Sequence, residues 1–330
     1  MTMIISKTPV RLSFFGGGTD YPDYYLKHGG SVLSTTINKY IYITVNKLNE
    51  FSNYKFKIVY SNFEKCYNIS EIQHPVIRAC LTYLNIESPL EIHVISDLPA
   101  KSGLGSSSSF TVGLLNALFA YLGKEVSKKE LAQMAIHIEK NILKERVGVQ
   151  DQLAASFGGL NTMNFNKNGD LIVKPFDIPN TRLNELKESL VMYYTGITRF
   201  AHQVLEEQVE NTKKNIITDE LNEINKLVEE GKTVLSEHNS LDKFGEIMNK
   251  SWNLKRGLSK SISNNYLDEI YNRAIKAGAL GGKLLGAGGG GFFIFYVPQK
   301  NMLNFKIKLN DLILIDFDFE NKGSRIILNN

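Results

Sequence analysis

Cysteine is close to absent. Cys66 and Cys80 are the only two in 330 residues, too few for a disulfide framework and without the paired spacing of a zinc site. Free thiols in a reducing compartment are the expectation. Long apolar runs are missing too: none approaches the roughly 20 residues that span a bilayer. The opening MTMIISKTPVRLSFFGGG lacks the unbroken apolar centre of a secretory signal. A cytoplasmic protein with no membrane partner is therefore expected. Nor is there a strong excess of one charge, since 38 Lys plus Arg against 34 Asp plus Glu leave a formal +4. That balance suits anionic small molecules and excludes the basic surface that nucleic acid requires.

What is present is a chain long enough for two lobes. Strand patterns dominate the first half: MIISKTPVRLSF, SVLSTTI, YIYITV, FKIVYS and LEIHVIS alternate or are rich in β-branched residues. HPVIRACLTYL, SSFTVGLLNALFAYL and SKKELAQMAIHIEKNIL read as helices among them. A second patch of strands covers GGLNTMNF, LIVKPFDI and SLVMYYTG. From about Phe200 the texture turns to charged amphipathic helices, over 200–230 and 241–258, then YLDEIYNRAIKAGA. The tail closes with strand-like FKIKL, LILIDFDF and RIIL. Strands and helices cluster without alternating strictly, which predicts the α+β class. The change in texture places a domain boundary near residue 180, giving domains 1–180 and 181–330.

Three glycine-rich segments interrupt this pattern. In PAKSGLGSSSSF, residues 99–110, glycines precede a helix expected to begin at about Ser106. Gly103 and Gly105 allow close backbone approach and positive φ. The unsatisfied N–H groups and dipole of the helix end favour an anion such as phosphate. The same residues also suit an N-capped helix after a turn. No Gly-Lys-Ser/Thr comes next, so this is not a Walker loop. In RLSFFGGGTDYPDYY, residues 11–25, Asp20 leaves a glycine turn where it can accept hydrogen bonds from sugar hydroxyls or cap the segment after it. Arg11 lies upstream on the same strand. KLLGAGGGGFFIFYV, residues 283–297, contains a literal GxGxxG. Its expected context of helix, glycines, strand is the wrong order for a dinucleotide-binding unit. Two carboxylates outside these loops stand out. Glu139 flanks the apolar stripe of Leu131, Ala135, Ile138 and Ile142, either reaching solvent or facing a cation. Asp151 precedes a short small-residue segment, where N-capping is the simple alternative.

Taken together, TPVRLSFFGGGTDY, P-A-K-S-G-L-G-S-S from Pro99 to Ser107, and KLLGAGGGG resemble the three ordered motifs of the GHMP kinase superfamily. The wording GGGTDYPDYYLKHGG, VQDQLAASFGG, YYTGITR and AGALGGKLLGAGGGGF is most similar to the heptose 7-phosphate kinase branch among the sugar 1-kinases. Galactokinases carry Glu-His where Gly17-Gly18 stand here. The resemblance implies a two-lobed fold, an N-terminal α+β domain with a left-handed β-α-β unit and a ferredoxin-like C-terminal domain. It implies ATP and Mg²⁺ as cofactors. The implied acceptor is the anomeric hydroxyl of D-glycero-D-manno-heptose 7-phosphate, and the implied product is a 1,7-bisphosphate for activated-heptose and surface-polysaccharide synthesis. A kinase for fucose, galactose or an N-acetylhexosamine is the alternative. Asp151 matches the catalytic base and Arg11 its arginine. Lys101, Ser102, Gly103, Leu104, Gly105, Ser106, Ser107 and Ser108 match the nucleotide loop, and Ser107 and Glu139 the metal ligands. Gly17, Gly18, Thr19, Asp20, Gly288 and Gly289 are expected at the substrate. Arg199 and Lys255, or Arg256, are candidates for a substrate phosphate. A monomer or homodimer is expected.

Overall fold

The computed structural model describes residues 3–49, 51–99, 103–197 and 201–330, with backbone alone for 201–205. Among these residues nine strands form one sheet and four form another. The first grows from two long antiparallel strands, β1 (Met3–Phe15) and β2 (Gly30–Lys47). Burial alternates at the start of β1, as its sequence requires, and becomes continuous from Thr8 onward because helices pack on both sides. The β1–β2 register shifts between Pro9 and Val10, a bulge at the one residue that has no N–H for the ladder.

β3 (Phe56–Val59), β4 (Phe63–Cys66), β5 (Leu90–Ser96), β6 (Asn161–Phe165) and β7 (Leu171–Pro175) extend this sheet. The helices of this half are α1 (Pro22–His28), α2 (Pro75–Tyr83), α3 (Ser106–Tyr121), α4 (Lys128–His137), α5 (Gln150–Phe157) and α6 (Asn180–Glu188). Val112, Leu114, Leu115 and Leu118 of α3 are fully buried. Gly113 lets this helix lie directly on β1, since a Cβ there would sit 2.7 Å from Thr8 Oγ1.

The second sheet holds β8 (Leu190–Tyr194), β9 (Gly281–Leu284), β10 (Phe292–Tyr296) and β11 (Ile313–Ile315). Between β8 and β9 run α7 (Ala201–Lys213), α8 (Thr218–Ser236), α9 (Asp242–Gly257) and α10 (Asn265–Lys276), and α11 (Met302–Lys308) joins β10 to β11. The spatial order β11-β8-β10-β9 is the ferredoxin-like order of a split β-α-β unit. The class is α+β.

Four details depart from the sequence reading. FKIKL lies in α11, not in a strand. The helix expected over 200–230 breaks after Lys213, where Asn215 takes φ 55, a left-handed turn that Asn tolerates better than most. Lys283 and Leu284 of the third motif belong to β9, so the glycines join two strands of a hairpin, not a helix to a strand. The chain also does not divide cleanly at residue 180. Its last strands, β12 (Phe319–Glu320) and β13 (Arg325–Asn329), return to pair with β2 and β1.

The lobes share a core. Phe14, Phe15, Leu227, Val228, Phe244, Met248, Phe292 and Ile294 pack in one cluster drawn from β1, α8, α9 and β10. Each such fully buried side chain contributes about 1.5–3 kcal/mol, enough in sum to fix one lobe against the other. No helix among the described residues is long and apolar enough to cross a membrane.

Candidate active site

A cleft of about 440 Å³ opens where the two lobes meet. β1 brings Arg11 to its floor, and α5 begins with Gln150 and Asp151 beside it. The Arg11 guanidinium grips Asp151 in a fork, Nε to Oδ1 and Nη2 to Oδ2, both 2.8 Å. Its third bond goes from Nη1 to the Gly103 carbonyl at 2.7 Å. Arg11 is 5 % exposed, so this charge-assisted pair is held in a fixed geometry.

Gly103 and Gly105 form a turn with φ 84 and φ 73, and Gly105 precedes α3. A Cβ on Gly103 would lie 2.4 Å from the Leu285 carbonyl oxygen, and one on Gly105 would lie 3.1 Å from Asp151 Oδ2. Glycine is therefore needed at both positions for backbone freedom and for space. Leu104 between them is fully buried and accepts a bond from the Arg11 N–H through its carbonyl. Ser106, Ser107 and Ser108 form the first turn of α3 and line the cleft. By helix geometry their N–H groups have no intrahelical acceptor, which makes this end an anion cradle.

In the turn after β1, Asp20 is 1 % exposed and accepts the N–H groups of Gly18 at 3.0 Å and Gln150 at 3.3 Å. Burial, and secondarily the Asp151 charge, raise its carboxyl above the usual range, while the two amides oppose that shift. Gly148 must be a glycine, because a Cβ there would overlap Asp20 Oδ2 at 1.8 Å.

Glu139 sits under the first turn of α3, on a π-helical turn (Ile138–Ile142) that continues α4. Such insertions recur at functional sites. Its Oε2 accepts from Ser108 Oγ at 2.9 Å and Gln152 Nε2 at 2.5 Å, while Oε1 is buried with no hydrogen-bond partner among the described residues. Burial raises this carboxyl to about 7 despite those bonds. The orphan carboxylate oxygen of Glu139 and the adjoining Ser108 hydroxyl offer oxygen donors of the kind a hard divalent cation takes, so the residues fit magnesium. The serine bonded to Glu139 is Ser108, whereas Ser107 is exposed to the cleft.

Of the residues singled out by sequence, Arg11, Gly17, Gly18, Asp20, Gly103, Gly105, Ser106, Ser107, Ser108, Asp151 and Lys255 line the same cleft. Others do not. The Thr19 hydroxyl is spent on the carbonyls of Gly16 and Ser31. Gly288 and Gly289 pack against Ile262, and it is Gly286 and Ala287 of that segment that border the cleft. Arg256 turns away to pair with Asp268 at 3.1 Å. Lys101, Ser102 and Arg199 lie outside the described residues. Lys255 Nζ donates to the carbonyls of Leu284 at 2.8 Å and Gly286 at 2.5 Å.

Lys283, Gln150, Gln208 and Arg146 also line the cleft and were not anticipated. For Lys283 there was a signal. A lysine inside G-G-K-L-L, among residues that bury completely on β9, is a placement that lysine rarely takes without a reason.

The family described as GHMP kinases N terminal domain matches residues 71–159, and the one described as GHMP kinases C terminal matches residues 233–302. The D-glycero-alpha-D-manno-heptose 7-phosphate kinase of Campylobacter jejuni is 33% identical over 98% of both chains. The bifunctional fucokinase/GDP-fucose pyrophosphorylase of Arabidopsis thaliana is 26% identical over 86% of this chain and 29% of its own length. Among solved structures, a D-glycero-D-manno-heptose 1-phosphate kinase from Bacteriodes thetaiotaomicron superposes with a TM-score of 0.81 at 26% identity, covering 98% of this chain and 99% of that one.

Proposed function

We propose, from the premise that this chain belongs to the GHMP kinase family and is an ATP-dependent sugar kinase, that its acceptor is the anomeric hydroxyl of D-glycero-D-manno-heptose 7-phosphate. The observation that carries the chemistry is the Arg11–Asp151 pair set between the glycine turn and Asp20 in one cleft. The choice of a phosphorylated heptose rests on the likeness to the Campylobacter jejuni enzyme over nearly the whole chain.

In this reading the turn at Gly103–Gly105 and the first N–H groups of α3 hold the nucleotide phosphates. Asp151 orients the sugar hydroxyl and takes its proton late, as suits a loose transition state in which positioning and charge neutralisation do most of the catalysis. Arg11 keeps the Asp151 carboxylate aimed into the cleft and spreads positive charge over its floor. Asp20 receives sugar hydroxyls. Glu139, with Ser108 bonded to it, and Ser107 are the residues that would hold magnesium. When bound, that ion neutralises charge on the phosphate oxygens. The product is a heptose 1,7-bisphosphate, and the enzyme's place is in activated-heptose supply.

The relative named as a fucokinase favours a second reading, a kinase for an unphosphorylated sugar such as fucose. A screen of ATP consumption over heptose 7-phosphate, fucose, galactose and N-acetylhexosamines separates the two. Turnover with the heptose phosphate at least about tenfold above every free sugar is expected, and preference for a free sugar overturns the proposal.

A further inference from the structure

Two lysines, Lys255 and Lys283, line this cleft. Lys283 is 5 % exposed and makes one hydrogen bond among the described residues, from Nζ to the Phe14 carbonyl at 2.9 Å. Two of its three N–H bonds are unused. Lys255 lies beside it, tied to the Gly286 carbonyl. Neither has an ion-pair partner among the described residues, and Arg11, on the cleft floor, is already committed to Asp151. A buried cation with like charges for neighbours is costly unless an anion completes the site.

The position tells which anion. A Cβ on Gly286 would come 2.3 Å from the Gly103 Cα, so the turn that Lys255 holds touches the turn next to Asp151. The lysines thus border the space between the nucleotide cradle and the group that orients the attacking hydroxyl. Resting on the kinase reading above, we propose that Lys283 is a further catalytic residue: its ammonium meets the phosphoryl group in transfer, with Lys255 bordering the same space from the Gly286 side. In that step the sugar oxygen forms a bond to phosphorus. The bond from phosphorus to the bridging oxygen breaks, its electron pair leaves on ADP, and the hydroxyl proton passes to Asp151. Burial, and then the Arg11 charge, pull Lys283 down to about 7. An arriving dianion therefore fixes a proton that the protein alone holds weakly.

The test uses Lys283→Met and Lys283→Gln in the full chain. For each, kcat and KM are measured, together with affinity for ADP, for the sugar phosphate alone, and for ADP with aluminium fluoride plus acceptor, a planar mimic of the group in transfer. A loss of about 100-fold in kcat and a parallel loss of affinity for the mimic are expected, with ADP and acceptor each bound within about threefold of wild type. Retained ADP binding shows that a variant has folded. Mimic affinity equal to wild type overturns the assignment. So does a loss confined to the sugar phosphate, which gives the lysine to the substrate's own phosphate instead. Failure of the underlying reading is visible without any variant, as wild-type protein that binds neither ADP nor the mimic.

Discussion

On the wall built from β1, α3 and α5, the carboxylates are answered by donors already in place. Asp151 takes two N–H groups of Arg11, and Asp20 takes two backbone amides. On the opposite wall, from α9 and β9, Lys255 and Lys283 find only carbonyl oxygens among the described residues. The first wall is organised before any ligand arrives. The second holds two buried lysines whose protons are weakened by burial and by neighbouring positive charge. Such an arrangement trades stability for function at the site of reaction.

Removing the organised charge should have the largest effect. Asp151→Asn keeps the shape and deletes the proposed proton acceptor, so kcat should fall by about 10²–10⁴-fold while ATP affinity stays within a few-fold. Steady-state kinetics paired with nucleotide titration checks this, and unchanged turnover would remove Asp151 from its role. Gly103→Ala attacks the seam between the walls, forcing a Cβ against the Leu285 carbonyl at positive φ. A destabilisation of about 2–4 kcal/mol, read by urea unfolding, should come with weaker nucleotide binding.

The second wall behaves in the opposite sense. Burial holds Lys283 at about 7 against an ordinary 10.5, so between those values the unfolded chain binds more protons than the folded one. Wild-type stability should therefore gain a contribution from this group as pH rises from 7 towards 10. Arg11, Lys255 and Asp151 are the charged groups around it. Lys283→Met should be more stable than wild type at pH 6–7, by on the order of a few kcal/mol, with the difference closing by pH 10. Melting curves across that range test the sign. The smallest effect belongs to the rim. Arg146 and Glu206 pair at 2.9 Å with both side chains 42% exposed, and Arg146→Ala should shift stability by less than about 1 kcal/mol.

Much of this arrangement is legible in the chain. The serine run predicts a helix from about Ser106, and α3 starts there. The spacing of the three motifs points to the residues that meet in the cleft. What escapes does so for physical reasons. FKIKL alternates like a strand, yet Ile307 is exposed while Phe305 and Leu309, four apart, are buried on one helix face. Lys283 is hidden because pattern reading treats a lysine as solvent-facing, whereas β9 lies buried under α9 and the Lys283 ammonium reaches the Phe14 carbonyl. Gly288 and Gly289 stand inside the matched motif, but the hairpin directs them to Ile262. The return of β13 to β1 depends on pairing across nearly the whole chain, for which local sequence carries no marker.

The most direct test of the account is the position of the new phosphate. Incubation of the enzyme with ATP and D-glycero-D-manno-heptose 7-phosphate, with phosphorus NMR of the products, should show a second ester signal coupled to the anomeric proton, formed in step with ADP. A new phosphate on any other carbon, or an ATP signal that persists until an unphosphorylated sugar is added, would contradict it.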